Sequence, residues 1–180
     1  MKKRLGFIGP MVVGLLLLAN IHAYTAHAHN WGSYHWDKGG SAIYVYQYNY
    51  AAYANEAELA RRQAWNTIGI LYNYAVNYHT DVSVYDGNFG NTGWGGLASL
   101  ESLDWDWGCW CFDHISHGHA RVNMYYGYGA WSRQFIFCQE VFHTYGIDHD
   151  NSGGCMDYAG TFNGLVSHNN TDFYNKYRNH

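Results

Sequence analysis

The stretch Cys138-Gln139-Glu140-Val141-Phe142-His143-Thr144-Tyr145-Gly146-Ile147-Asp148-His149-Asp150 decides how this 180-residue chain is read. Gln139 and His143 are four apart, so on a helix they share one face. Glu140 stands one step round and leans toward whatever those two hold. Gly146 can take a positive φ without a Cβ clash, which fits a sharp turn at the helix end. That turn swings His149 back toward the helix face. Three neutral donors and one carboxylate then converge, the geometry of a catalytic metal site with an open position for water and a base beside it. A single histidine on an apolar helix is ordinarily a packed core residue. Two at this spacing, with Glu140, Gly146 and a later Met156, ask for more.

The stretch resembles the metzincin zinc-protease pattern H-E-x-x-H-x-x-G-x-x-H with its downstream Met-turn. Here it reads Gln139-Glu140-x-x-His143-x-x-Gly146-x-x-His149, then Asp150, then Cys155-Met156-Asp157-Tyr158. The first position is Gln where the pattern has His, and the helix is similar to that of secreted, matrixin-like bacterial proteins reading Q-E-V-G-H. The resemblance implies an α+β fold, a metzincin-like zincin with a twisted mixed sheet, a long helix, a site helix and a C-terminal helix. It implies Zn2+ held by Gln139, His143 and His149, Glu140 as general base and Met156 as a hydrophobic floor. Asp150 would brace the turn, unless it is a simple surface charge. Tyr158 would stabilise the oxyanion, unless it is a core aromatic. An amide oxygen is neutral like an imidazole nitrogen but is the poorer zinc donor, so weaker zinc binding with a comparably acidic bound water is expected. Gly95-Gly96-Leu97-Ala98 is similar to the matrixin stretch that forms the sheet edge lining the cleft, along which substrate adds as a strand. The pocket setting cleavage preference would involve Tyr158 to Gly164.

Met1-Lys2-Lys3-Arg4 followed by the apolar run Leu5 to Ala19 reads as a secretory signal peptide. Ala26-His27-Ala28 offers a small-x-small cleavage site, so residues 1–28 are expected to be removed, with a cut after Ala23 as the runner-up. The run is short for a membrane anchor. Residues 29–180 then form a single metzincin-like catalytic domain, secreted, without a membrane span and monomeric. The formal charge of −4 loses three positive residues and no acidic one, leaving −7. An acidic domain argues against nucleic acid as a partner. The one proline is lost with the leader, and 18 tyrosines and eight tryptophans supply core and groove surface.

Four cysteines in a secreted chain imply two disulfides in one of three pairings. The resemblance brings the segments around Gln139 and Met156 together and so favours Cys138–Cys155; otherwise Cys138 is a small buried apolar residue. Cys109 and Cys111 are left as a strained local bridge or as two free thiols. With no cysteine before Cys109, no inhibitory cysteine-switch propeptide is expected.

Along the chain, residues 29–40 are irregular and aromatic. His29 and His35 there are metal candidates, or more simply polar tips on packed aromatics. Ser41 to Tyr50 is a strand. A helix begins at Asn55 and keeps a 3.6-residue period through Leu59, Ala60, Ala64, Ile68, Leu71, Tyr72 and Ala75, ending near Tyr78. Asp81 to Tyr85 is a second strand, making a parallel pair with the first. Asp86 to Gly96 is a loop and Leu97 to Leu100 a short strand. Residues 102–114 are acidic and tryptophan-rich. His114, His117 and His119 are either a second metal site or, more simply, part of a solvated loop. Ala120 to Tyr126 is a strand, the site helix starts near Ser132, and the run Ser167 to Thr171 offers a start for a last helix from about Asp172 to Arg178.

Two functions remain in play. One is a secreted zinc-dependent endopeptidase acting on a peptide or protein substrate, with Glu140 moving the proton. The other is an inactive pseudoprotease that binds a peptide or protein partner through the cleft. Retention of Glu140 favours the enzyme, since a pure binding module has no need of a base there. A toxin-like or wall-associated binding protein has only the aromatic content behind it.

Overall fold

The computed structural model describes residues 31–37, 40–65, 67–158 and 164–178. The leader and its cleavage sites, His29 and most of the Tyr158–Gly164 segment lie outside the described residues. Five strands form one mixed sheet in the order β2-β1-β3-β5-β4. They are β1 (Ile43–Asn49), β2 (Leu71–Val76), β3 (Val82–Gly87), β4 (Gly96–Asp106) and β5 (Cys111–Asn123). The helices are α1 (Ala54–Ala64), α2 (Ala130–His143) and α3 (Ser167–Tyr177). The fold is therefore α+β, and no described helix is long and apolar enough to cross a membrane.

Alternation along β1 sets the layering. Ile43, Val45 and Gln47 are buried while Tyr44 and Tyr46 are exposed, so one sheet face meets the helices and the other carries tyrosines. β1 pairs in parallel with β2 on one side and β3 on the other. β3 pairs in parallel with β5, and only β4 runs antiparallel. α2 packs on β4, β5 and α1, burying Phe137, Val141 and Phe142. The Arg133 guanidinium joins α2 to α1 through Glu56 at 3.0 Å and lies 3.8 Å over the Tyr53 ring. α3 packs Phe173 against Phe142 and Tyr145 and buries Tyr177, each ring worth on the order of 2 kcal/mol of burial. The Tyr177 hydroxyl donates to the Tyr145 carbonyl at 2.9 Å and accepts from the Trp36 N–H at 3.1 Å.

Three expectations from sequence need correction. The first helix stops at Ala64 rather than near Tyr78, so the long helix expected there is an 11-residue one. The Thr67 hydroxyl turns back onto the Ala64 carbonyl, and Gly69 takes φ +72°. Leu71–Val76 becomes β2, with Leu71 and Asn73 inward and Tyr72 and Tyr74 on the other face beside Tyr44. The 3.6-residue pattern was satisfied by chance, and register pairing with β1 overrides it. α1 also starts one residue before Asn55, with no side-chain N-cap of its own. Instead, Asp86 of β3 accepts from the backbone of Ala52 and Tyr53 at 3.0 and 2.8 Å.

Second, the short strand at Leu97–Leu100 extends to Asp106, and the segment around His114–His119 is strand rather than loop. Pairing the two long strands satisfies the backbone groups on their facing sides despite the polar sequence, with register shifts between Leu100 and Ser102, Ser102 and Leu103, and Asp104 and Trp105. Residues 124–126, expected to continue the strand, form a 3₁₀ turn that starts when the Asn123 side chain accepts from Tyr125 N. Third, the last helix begins at Ser167, the first residue of the run that offers a helix start, where the Asn169 side chain accepts from the Val166 N–H at 3.0 Å, so the helical body starts some five residues before Asp172.

Candidate metal centre

Helix α2 ends at His143, and the chain then reverses through Gly146 at φ +72°. A Cβ at Gly146 would collide with the Tyr34 carbonyl oxygen, so both the turn and the approach of the N-terminal segment require glycine there. The reversal brings His149 Nε2 to 3.2 Å from His143 Nε2. His143 Nδ1 lies 2.7 Å from the Ile147 carbonyl. Donating there fixes the tautomer that leaves Nε2 as an electron-pair donor. Burial holds the His143 pKa down at about 4, with His149 pushing the same way, and burial also lowers His149. Both imidazoles are neutral at physiological pH, the state a metal needs.

Gln139, one turn before His143, lines the same cleft of about 520 Å³ together with Glu140, His143 and His149. Its Nε2 reaches toward the Asp157 carbonyl at 3.5 Å, which leaves the amide oxygen as the available donor. Glu140 is 5% exposed. Burial pushes its pKa up to about 8, against one opposing hydrogen bond from the Ala98 backbone. Gly95, Gly96, Leu97 and Ala98 form the opposite wall. A Cβ at Gly96 would strike the Glu140 carboxylate and Ile136, so glycine there is what lets strand and helix close on each other.

Beneath the turn, Met156 is fully buried and its carbonyl accepts from Asp150 N at 2.8 Å. Asp150 is a buried brace rather than a surface charge. Its carboxylate accepts from Ser152 N at 3.0 Å, Ser152 Oγ at 2.8 Å and Asn169 Nδ2 at 2.5 Å. Cys138 and Cys155 form a disulfide that ties α2 to this segment; Cys109 and Cys111 are also bonded to each other. Tyr158 is 71% exposed, which excludes the core-aromatic alternative, and its ring stacks on His149 at 4.6 Å.

The fit of this centre to a divalent ion rests on two neutral imidazoles aimed at one another, an amide oxygen, and a carboxylate that is protonated at neutral pH while no cation is near. Sequence reasoning missed four lining residues: Trp31, Tyr128, Ile136 and Asp148. Trp31 lies 5.6 Å from the His143 ring, brought there from the far end of the chain by Trp31 N donating to the Gly146 carbonyl at 2.9 Å. Asp148 sits beside His149, its carboxylate 3.5 Å from Nδ1, and adjacency in sequence was the available signal. The His114, His117 and His119 trio is split by the strand. His114 approaches His35, while His117 and His119 face His79. No family model matches this chain, and no curated protein does either.

Proposed function

We propose that this chain is a metzincin-like, zinc-dependent endopeptidase whose zinc ligands are Gln139, His143 and His149. The observation that carries the reading is the pair of imidazoles at 3.2 Å beside a buried Glu140 in a cleft walled by β4. Zinc in such a site supplies a Lewis acid that polarises the scissile carbonyl and acidifies a water. Glu140 takes the proton from the attacking water and returns it to the leaving amine. The Ala98 N–H orients the carboxylate, and the wall at Gly96 holds it at the cleft floor. Gly95–Ala98 opens onto the free side of edge strand β4, where an extended peptide can add backbone hydrogen bonds. Tyr158, exposed and stacked on His149, is the side chain placed to reach an oxyanion.

The second reading, a non-catalytic chain that binds peptides through the same cleft, draws on the Gln139 amide being engaged with the Asp157 carbonyl. Hydrolysis of a quenched peptide library and zinc content per chain separate the two. Glu140→Ala should abolish hydrolysis while zinc stays bound. If zinc-saturated wild type shows no hydrolysis that Glu140→Ala removes, the enzyme reading is wrong and the binding reading stands.

A further inference from the structure

We propose that His35, Asp106, Asp113 and His114 form a second, structural zinc site at the outer end of the β4–β5 hairpin. One ligand atom from each lies within 4.8 Å of all the others. In a tetrahedral site with bonds of about 2.1 Å the ligand atoms stand roughly 3.4 Å apart, so small side-chain adjustments close the shell. The four come from three separate parts of the chain. His35 belongs to the N-terminal segment, Asp106 ends β4, and Asp113 and His114 lie near the start of β5.

The backbone already holds these parts in register. His35 N donates to the Asp113 carbonyl at 3.0 Å, and Ile115 N donates to the His35 carbonyl at 2.6 Å. His35 Nδ1 lies 2.6 Å from the Ser33 carbonyl. Donating there leaves Nε2, which is buried, with the lone pair, the same orientation by a backbone carbonyl seen at His143. Asp106 Oδ1 accepts from Gly108 N at 2.6 Å, and Oδ2 faces His114 Nε2 at 3.5 Å. The four side chains are between 6 and 17% exposed, so two carboxylates are held together largely away from water. Lys176 lies near enough to feel the Asp113 charge, and an ion in the site has to outweigh that repulsion with the two carboxylates.

The donor set selects the metal. Two imidazoles disfavour calcium and magnesium, which take oxygen ligands. Two carboxylates make the shell neutral around a divalent ion, and four protein ligands leave no open position, the mark of a structural rather than a catalytic zinc. The His79, His117 and His119 cluster is the weaker candidate. His79 is exposed, and the Arg121 guanidinium stands 2.6 Å from His119 Nδ1, a positive charge set against any ion. At the His35 site an ion would pin the N-terminal segment, which carries Trp31 to the cleft, onto the sheet.

The site does not depend on the cleft reading, and the test keeps them apart. Zinc per chain is measured by mass spectrometry on non-reduced protein, for wild type and for His143→Ala/His149→Ala. Two ions in wild type and one in the double variant are expected. The remaining ion should be lost on adding His114→Ala or Asp106→Asn, and its Co2+ replacement should give a tetrahedral visible spectrum. His35→Gln is the milder variant, with far-ultraviolet circular dichroism as the check on folding. A double variant that binds no zinc overturns this site. One ion in wild type that survives in the double variant overturns the cleft as a zinc site and leaves this one standing.

Discussion

Replacing Glu140 by Gln should stabilise the metal-free protein, and the gain should grow with pH. Glu140 lies against Ile136 and Gly96 with 5% of its surface exposed, and burial raises its pKa from 4.5 to about 8. The folded state therefore keeps a proton that the unfolded state releases, so stability falls as pH climbs from about 4.5 to 8. Each pKa unit is about 1.4 kcal/mol, which puts the wild-type penalty at roughly 4 kcal/mol at pH 8 and under about 1 kcal/mol at pH 5. Gln keeps an acceptor for the Ala98 N–H and never ionises, so it escapes the penalty. Urea denaturation in the presence of a chelator, at pH 5, 6.5 and 8, reads the difference directly. The two proteins should nearly coincide at pH 5 and separate by several kcal/mol at pH 8. Zinc should narrow the gap, because a cation in the cleft favours the ionised carboxylate. Parallel pH profiles, or a less stable variant at pH 8, would show that Glu140 is not desolvated and would remove the basis for its role as a poised base.

Gln139→His should tighten zinc by supplying the better donor, measured against a competing chelator; an unchanged affinity would show that Gln139 is not a ligand. Cys138→Ala with Cys155→Ala should cost about 2–4 kcal/mol in chemical denaturation, given the 17-residue separation of the pair. Glu58 is held down to about 2, mainly by its hydrogen bond to Arg61. Its contribution is therefore complete above about pH 4.5 and lost as pH falls toward 2. With the carboxylate 30% exposed, Glu58→Gln should cost on the order of 1 kcal/mol at pH 7 and progressively less in acid.

The site helix was legible because its information is local. Spacing between Gln139 and His143, and a glycine at 146, needed no knowledge of the rest of the chain. The disulfide of Cys138 with Cys155 came from the resemblance rather than from spacing, and the structure contains that pair. β2 was not legible, since Leu71, Tyr72 and Ala75 fit a helical period as well as an alternating one. What decides is the pairing of Asn73 with Gln47 at 2.8 Å and with the Tyr145 hydroxyl at 2.6 Å. Those are partners from distant segments that no local window contains. The length of β4 and β5 was hidden for the same reason, because a polar strand such as Glu101–Asp106 is recognised by what lies across from it. Trp31 and His35 reach their sites through backbone bonds made over more than 75 residues of sequence separation, and nothing in their own neighbourhood announces it.

Edge strand β4 is divided along its length. From Gly96 to Leu100 its register is continuous, and beyond that three irregularities follow among residues carrying Glu101, Asp104 and Asp106. A sheet edge that is long, flat and uncharged invites other copies of the chain to pair with it and aggregate. Here the irregular, acidic half turns such partners away. The regular half stays open only where it borders Glu140, so an incoming strand is confined to about five residues. On this edge of the sheet, the backbone left without bulge or charge is thus a single short stretch, and it is the one that borders the cleft.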